Sequence, residues 1–418
     1  MIRKKIFHLA SVGIGVVGSS LLAFPIWEHY SEEKNALETL CKVLAEENKL
    51  SYTAIRTYTR WDGKTTLRVR QDRIAEEINS VLVLSPLSRA GEISIRKPKE
   101  WLQYFPDRNV LVIQENLNEA KHDLPLRIDL VRKNYTTLTE GKTKIAGRNT
   151  VAIVLKPKAS EALFTRTYWL DEEYPAVLRV AWTHPSGEKK VISDTLFIDF
   201  TKNTSPNNTF KPIGKPREIK IAPPRSFRRI SELRREAGFQ VIHPVRMPYG
   251  FTFIEGSLVS YRTPLAALRY TDGVAMLTLY QRKYDDTSSR DRRRKSQIVI
   301  DGVSIFVTGE IPDEARETVL EFLKEGAKKE PELLKETAEK FGASVTWVER
   351  FRDYGLGFDE INFLFLASRG NEKELWRCLK VLQDGKTAPE ALKSCFSRDK
   401  RGRNPQDLQK IPKRNGGS

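Results

Sequence analysis

The sequence predicts an α+β chain: an open antiparallel β half-barrel, then a smaller antiparallel α+β domain, then an all-α C-terminal region. Three observations predict it. From Ser51 to Phe200, short apolar and β-branched runs recur at hairpin spacing, with turn residues between them. Prolines then gather at Pro206, Pro212, Pro216, Pro223 and Pro224, and a second set of alternating runs follows. Beyond Pro331 the apolar period lengthens from two residues to between three and four. A chain of 418 residues is long for one core and comfortable for two or three. The expected boundaries are residues 1–30 for a signal peptide or signal anchor, 31–201 for the half-barrel and 202–225 for a Pro-rich linker. Residues 226–330 form the second domain, 331–396 a helical module and 397–418 a basic disordered tail.

The first segment sets the compartment. Arg3, Lys4 and Lys5 precede a run from Ile6 to Trp27 without Asp, Glu, Lys or Arg. Positive charge before an apolar run of spanning length keeps the N-terminus inside and exports the rest. Ala23 with Leu21 two residues earlier is a poor match to a small-x-small cleavage site, which leans the reading toward an uncleaved anchor. The Gly13-Ile14-Gly15-Val16-Val17-Gly18 stretch has dinucleotide-site spacing. It lies inside the membrane-targeting run, without the βαβ context that such a site needs.

Ser31–Asn48 reads as a helix, with Leu37, Leu40, Cys41 and Leu44 on one face. Strands are expected over Ser51–Trp61 and Thr65–Gln71 around an Asp62-Gly63 turn, then between Ala90 and Lys97. A further hairpin joins Trp101–Phe105 to Val110–Gln114 through Pro106-Asp107-Arg108-Asn109. Asn116–Leu130 is polar and carries no clear period. Strands resume at Tyr135–Glu140, Thr150–Leu155, Phe164–Leu170, Ala176–Thr183 and Lys190–Phe200.

After the linker, Ser226–Glu236 reads as a short basic helix. Phe239–Val245, Phe251–Tyr261, Ala266–Tyr270, Val274–Gln281, Gln297–Ile300 and Val303–Thr308 read as strands, with turns at Asp272-Gly273 and Asp301-Gly302. Pro312 opens a helix through about Lys328. The region from Pro331 should hold three or four short helices, separated at Gly355-Leu356-Gly357 and Asp384-Gly385-Lys386. It is expected to fold independently of what precedes it.

The residues point to binding rather than catalysis. His8, His29, His122, His184 and His243 are scattered, and no HExxH, GxSxG or phosphate-loop pattern occurs. Asp171-Glu172-Glu173 sits in an expected turn, where carboxylates are simply solvated. No catalytic, metal or cofactor-binding residue is assigned, and no ligand-binding residue is identified. In the first hairpin, Tyr52, Ala54 and Tyr58 share one strand face, and Ile55 and Trp61 share the other. Leu67 and Val69 share a face of the next strand, as do Val110 and Val112 further on. Cys41, Cys378 and Cys395 form no CxxC pair; Cys378 and Cys395 could pair if two helices bring them together, and the preferred reading is that they are small buried core residues. The excess of 71 Lys and Arg over 54 Asp and Glu is dispersed, with local runs at Arg228–Arg235, Arg290–Lys295 and the tail. It reads as a solvated basic surface, not a nucleic-acid site.

An ordered set of segments resembles one family. Trp101–Arg108 is similar to its Tyr-Leu-Pro-Asp hairpin, and Ala146-Gly147-Arg148 before Val151–Pro157 to its Gly-Arg turn and strand. Tyr168-Trp169-Leu170-Asp171, Leu178-Arg179 and Pro185-Ser186-Gly187 resemble its Trp-Leu-Asp strand and hairpin. Pro248-Tyr249-Gly250-Phe251, Tyr270-Thr271-Asp272-Gly273 and Val307–Pro312 follow in the same order. The family is the MucB/RseB group of sigma-E regulatory proteins, whose first domain has the LolA/LolB lipoprotein-carrier fold. The resemblance spans roughly Tyr52–Leu323. It implies an envelope protein that binds an anti-sigma factor and shields it from proteolysis, with an apolar lipid- or lipoprotein-sized cavity in the first domain. An alternative is an envelope lipid or lipoprotein carrier or chaperone without a sigma-factor role. Tyr354–Ile361 and Gly385–Ala391 resemble a small helical module of bacterial exported proteins, to which no function attaches.

Overall fold

The computed structural model describes residues 24–59, 65–115, 123–158, 164–201, 212, 214–259, 264–285, 297–384, 386 and 390–391. The first sheet is built from β1 (Tyr52–Thr59), β2 (Thr66–Ile74), β3 (Ile78–Ser85), β4 (Ile93–Arg96), β5 (Glu100–Phe105) and β6 (Val110–Glu115). It continues with β7 (Tyr135–Ile145), β8 (Arg148–Pro157), β9 (Thr165–Asp171), β10 (Val177–Thr183), β11 (Lys189–Asp199) and β12 (Arg217–Ile221). The order is β12-β6-β5-β4-β3-β2-β1-β11-β10-β9-β8-β7. Its edges β12 and β7 do not meet, so the sheet is open. Every pairing is antiparallel except β12, which runs parallel to β6.

Local chemistry sets the hairpins. Ala146 and Gly147 both take positive φ (52° and 78°) between β7 and β8, the twist that two-residue hairpins require. Pro106 starts the β5–β6 turn, and Asn109 closes it in the left-handed region. Helix α1 (Phe24–Glu46) lies on the β7–β9 end of this sheet. Its Ala36, Leu37, Leu40 and Val43 are buried with Tyr135, Ile153, Leu155, Tyr168 and Leu170.

The second sheet has the order β13-β14-β15-β16-β18-β17. Its strands are β13 (Arg225–Phe227), β14 (Thr252–Val259), β15 (Leu265–Thr271), β16 (Met276–Lys283), β17 (Gln297–Ile300) and β18 (Val303–Gly309). Helices α3 (Ile230–Ala237) and α4 (Asp313–Phe341) bury Leu233, Val319 and Leu323 against Leu268, Leu277 and Ile305. Then come α5 (Val345–Asp353), α6 (Phe358–Ser368) and α7 (Glu372–Gln383), around Phe351, Ile361, Phe365 and Leu379. The chain is thus α+β, with a large open antiparallel sheet, a smaller one and C-terminal helices.

Several expectations are corrected. The polar stretch after Asn116 contains α2 (Asp123–Asn134), whose Leu126, Leu130 and Val131 are buried. Its apolar residues behind Pro125, Leu126, Ile128, Leu130 and Val131, alternate with charged ones and give no clear period in the sequence. The expected linker is partly strand: β12 joins the first sheet through the Arg217 N–H bond to the Asn109 carbonyl. The helix expected over Ser226–Glu236 starts only at Ile230, and Ser226 and Phe227 lie in β13, which joins the second sheet. Phe239–Val245 forms no strand. The Gln281 amide instead takes both backbone groups of Ile242, accepting from its N–H at 2.8 Å and donating to its carbonyl at 2.7 Å.

The helix opened by Pro312 does not stop near Lys328. It runs on through Pro331 to Phe341, although proline removes an N–H and crowds the preceding turn. Burial on both sides of the proline, at Leu323 and Gly326 before it and Thr337 and Ala338 after it, holds the two halves in line. Cys378 is disulfide-bonded rather than a reduced core thiol, while Cys41 is free. Cys395, the Asp62-Gly63 turn, the Arg290–Lys295 run and the tail lie outside the described residues. So does Ile6–Ala23; among the described residues no helix is long and apolar enough to cross a membrane.

Candidate binding site

Strand register assigns the faces. The directly paired row Tyr58–Ser193–Val180–Tyr168–Ile153 crosses from β1 to β8 and ends beneath α1. Paired residues project to the same side, so Tyr52, Ala54 and Tyr58 face the α1 side. Leu67 and Val69 do so through β2, and Val110 and Val112 through β5 and β6. The sequence could place each group on one face of its own strand, and the ladder shows that all these faces are the same one. Ile55 lies on the opposite side, and Trp61 is outside the described residues.

Burial differs across the sheet. Over β7–β10 both faces are buried, with Ile153, Tyr168 and Leu170 beneath α1 and Ala152, Trp169 and Ala181 on the other side. Over β3–β6 the apolar cluster Ile93, Ile95, Tyr104 and Leu111 lies on the other face. Across β2–β6 the α1 side combines buried Val69, Val83 and Val110 with half-buried Leu67, Phe105 and Val112 and with Asn79, Ser94 and Gln103. Trp101 Nε1 donates to Ser94 Oγ at 2.7 Å, and Gln71 Nε2 to Asn79 Oδ1 at 2.9 Å. This amphipathic surface, half-exposed and not covered by α1, can take both apolar side chains and polar groups of a partner.

The end of α1 is fixed to this face by buried charge. Arg73 Nη1 donates to the Glu47 carbonyl and to Asn48 Oδ1, at 3.2 and 2.7 Å. Arg56 Nη2 lies 3.9 Å from the Glu47 carboxylate, and both guanidinium groups stand over the Tyr52 ring. Burial pushes the Glu47 carboxyl up, against the pull of Arg56 and Arg73.

A second constellation joins the two sheets. The Tyr135 hydroxyl at the start of β7 donates to Asp272 Oδ2 at 2.5 Å. Asp272 Oδ1 accepts from the backbone N–H groups of Val274 and Ala275. Asn134 Nδ2, at the end of α2, donates to the carbonyls of Asp272 (2.8 Å) and Gly250 (3.2 Å). Arg127 Nε donates to the Gly273 carbonyl. Arg166, stacked on Trp182, donates to the Val274 carbonyl and lies 3.6 Å from Glu310. Burial first, and the Asp272 carboxylate next, push the Tyr135 phenol up, so it stays a donor. A Cβ at Gly273, where φ is 101°, would stand 2.7 Å from the Arg127 carbonyl oxygen and the Val131 nitrogen. Glycine is what allows α2 to seat on this turn. Two segments behind the family resemblance, around Pro248–Phe251 and Tyr270–Gly273, therefore lie at the domain junction. Nothing in their turn pattern signalled this contact.

The Asp171 cluster is structural. Asp171 is buried, binds the Arg148 guanidinium and accepts from the N–H groups of Glu173 and Tyr174. Among the described residues no group of His, Cys, Asp and Glu could hold a metal ion.

The architecture defines a class: a two-sheet α+β protein with one open antiparallel sheet bearing a half-exposed amphipathic face. Residues 35–216 match the family model of the MucB/RseB N-terminal domain. Among solved structures, a crystal structure of MucB is 14% identical, covering 70% of this chain and 97% of that one, with a TM-score of 0.47. The Pseudomonas aeruginosa MucA/MucB complex is 15% identical over 68% of this chain and 96% of that one, also at 0.47. An uncharacterized conserved protein from Thermus thermophilus is 18% identical over 44% of this chain and 99% of that one, at 0.32. No curated protein matches the sequence.

Proposed function

We propose that this protein is a non-catalytic regulator of the cell envelope that binds an anti-sigma factor in an extracytoplasmic stress-signalling pathway. The observation that carries the reading is the match of residues 35–216 to the MucB/RseB N-terminal domain. The MucB relative is solved in complex with the periplasmic part of MucA, which is the kind of partner proposed here. The half-exposed face of β2–β6 offers such a partner both apolar and hydrogen-bonding contacts. Export fits the Arg3-Lys4-Lys5 flank and the apolar run after it. It also fits a disulfide at Cys378, since disulfides persist in oxidising compartments.

The test is a titration of the exported part of the chain with the periplasmic segment of a membrane anti-sigma factor from the same genome. Saturable binding, weakened by Val112→Lys on the α1 side of β6, is the expected result. Absence of binding by folded protein would refute the proposal. The alternative of a lipid or lipoprotein carrier shares the half-barrel. It requires an apolar cavity, and native mass spectrometry of the purified exported part would then show a co-purifying lipid.

A further inference from the structure

Where the second domain meets the C-terminal helices, α3, α4, α5 and the 240–243 segment enclose a cleft of about 600 Å³. That volume is in the range of small-molecule sites. Its walls are Ile230, Ile242, Ala327 and Leu334, and charged groups of both signs reach it. Most of those charges are already engaged. Glu330 takes two bonds from Arg352, at 3.0 and 2.6 Å. Arg352 is also committed to the carbonyls of His243, Pro244 and Leu356. Asp353 accepts from the Ser231 N–H and hydroxyl, at 2.6 and 2.8 Å. Arg350 lies over the rings of Trp347 and Trp376. Asp301 and Glu349 are exposed.

Arg234 differs. It is half-buried and its Nε donates to the Val241 carbonyl at 3.0 Å. Among the described residues its two terminal nitrogens have no carboxylate partner. Burial disfavours its charge and nearby Arg352 adds to that, while Glu330 and Asp353 offset part of it. A guanidinium in this position presents a fork of two N–H donors that matches a carboxylate, with apolar walls beside it.

We infer that this cleft is a binding site for a small organic carboxylate with a short apolar body, its carboxylate held by Arg234 and its body against Ile242 and Leu334. The site belongs to the junction with the C-terminal helices. It is independent of the partner-binding face on the first sheet.

The probe is N-acetyl-leucine, titrated by calorimetry into the exported part of the chain and followed by thermal shift. N-acetyl-leucinamide has the same body without the charge, and inorganic phosphate has the charge without the body. N-acetyl-leucine should bind saturably and raise the melting temperature, and both controls should bind more weakly. Arg234→Gln, which keeps a donor for the Val241 carbonyl, should weaken binding about 10- to 100-fold, as expected for loss of a charge-assisted pair. Leu334→Trp, which fills the cleft without touching Arg234, should weaken it too. If either variant fails to fold, the wild-type arms still decide. The inference is overturned if the wild-type chain does not bind N-acetyl-leucine, if the amide or phosphate binds as well, or if both folded variants bind like wild type.

Discussion

Single residues make the junction between the two sheets sensitive to small chemical changes. Asp272 is about 1% exposed and binds Tyr135 and two backbone N–H groups at once. Tyr135→Phe leaves one carboxylate oxygen buried without its partner, at a cost of about 1–3 kcal/mol in denaturant unfolding. Gly273→Ala drives a methyl group into the backbone of α2 and should cost at least as much, again read by denaturant unfolding. His243 offers a pH-dependent counterpart. It is buried, its Nδ1 is 2.9 Å from the Tyr270 hydroxyl, and its pKa lies well below 6.5 because of burial first and the Arg352 charge second. The unfolded chain therefore takes up a proton that the folded chain refuses. The stability associated with neutral His243 is complete above about pH 6.5. It falls as pH drops below that value, by up to about 1.4 kcal/mol per unit. Melting curves between pH 7.5 and 5.5 should show a shallower pH dependence for His243→Gln than for wild type.

At the scale of elements, strands were more legible than helices. β-branched runs ended by Gly, Pro and Asn carry a local signal, and the hairpins at Pro106–Asn109, Ala146-Gly147 and Asp301-Gly302 stand where their turn residues put them. β12 was hidden because its Arg-Glu-Ile-Lys-Ile alternation sits among prolines, and α2 because its buried stripe is short. The site was less legible still. Which strand face meets α1 depends on pairings across the whole ladder, and residues such as Tyr135 and Asp272 acquire their meaning only from each other. Pro331 misled for a different reason: the sequence carries its intrinsic cost, but not the packing that overrides it. That cost is still present in the folded chain. Pro331 is exposed within a continuous helix, so Pro331→Ala should raise the melting temperature. The gain is bounded by the roughly 3 kcal/mol that separates proline from alanine in a helix interior. A lower melting temperature would mean that the helix does not continue through this point.

In the whole molecule, the second domain and the C-terminal helices are knit together. Arg352 on α5 holds the carbonyls of His243 and Pro244, the Phe358 N–H bonds the Val245 carbonyl, and Asp353 binds Ser231 on α3. Gly355 packs so closely on the Phe253 ring that a Cβ there would approach within 2.1 Å. Ending the chain at Glu330 would strip all these contacts from the second domain. The truncated protein should therefore unfold at lower temperature in its second domain, with the first domain less affected. Calorimetry resolving the two transitions is the check, and an unchanged second transition would show that the helices are dispensable.

The open sheet is braced at both ends. Its edge β12 is tied by the three residues Ala222, Pro223 and Pro224 to β13 of the second domain, while its opposite edge β7 is held to that domain by Tyr135 and α2. The second domain is thus attached to both edges of the open sheet. The sheet cannot splay without stretching the short tether on one side or prying Tyr135 from Asp272 on the other. A force that spread the two edges of the sheet would be carried by these two attachments to the second domain.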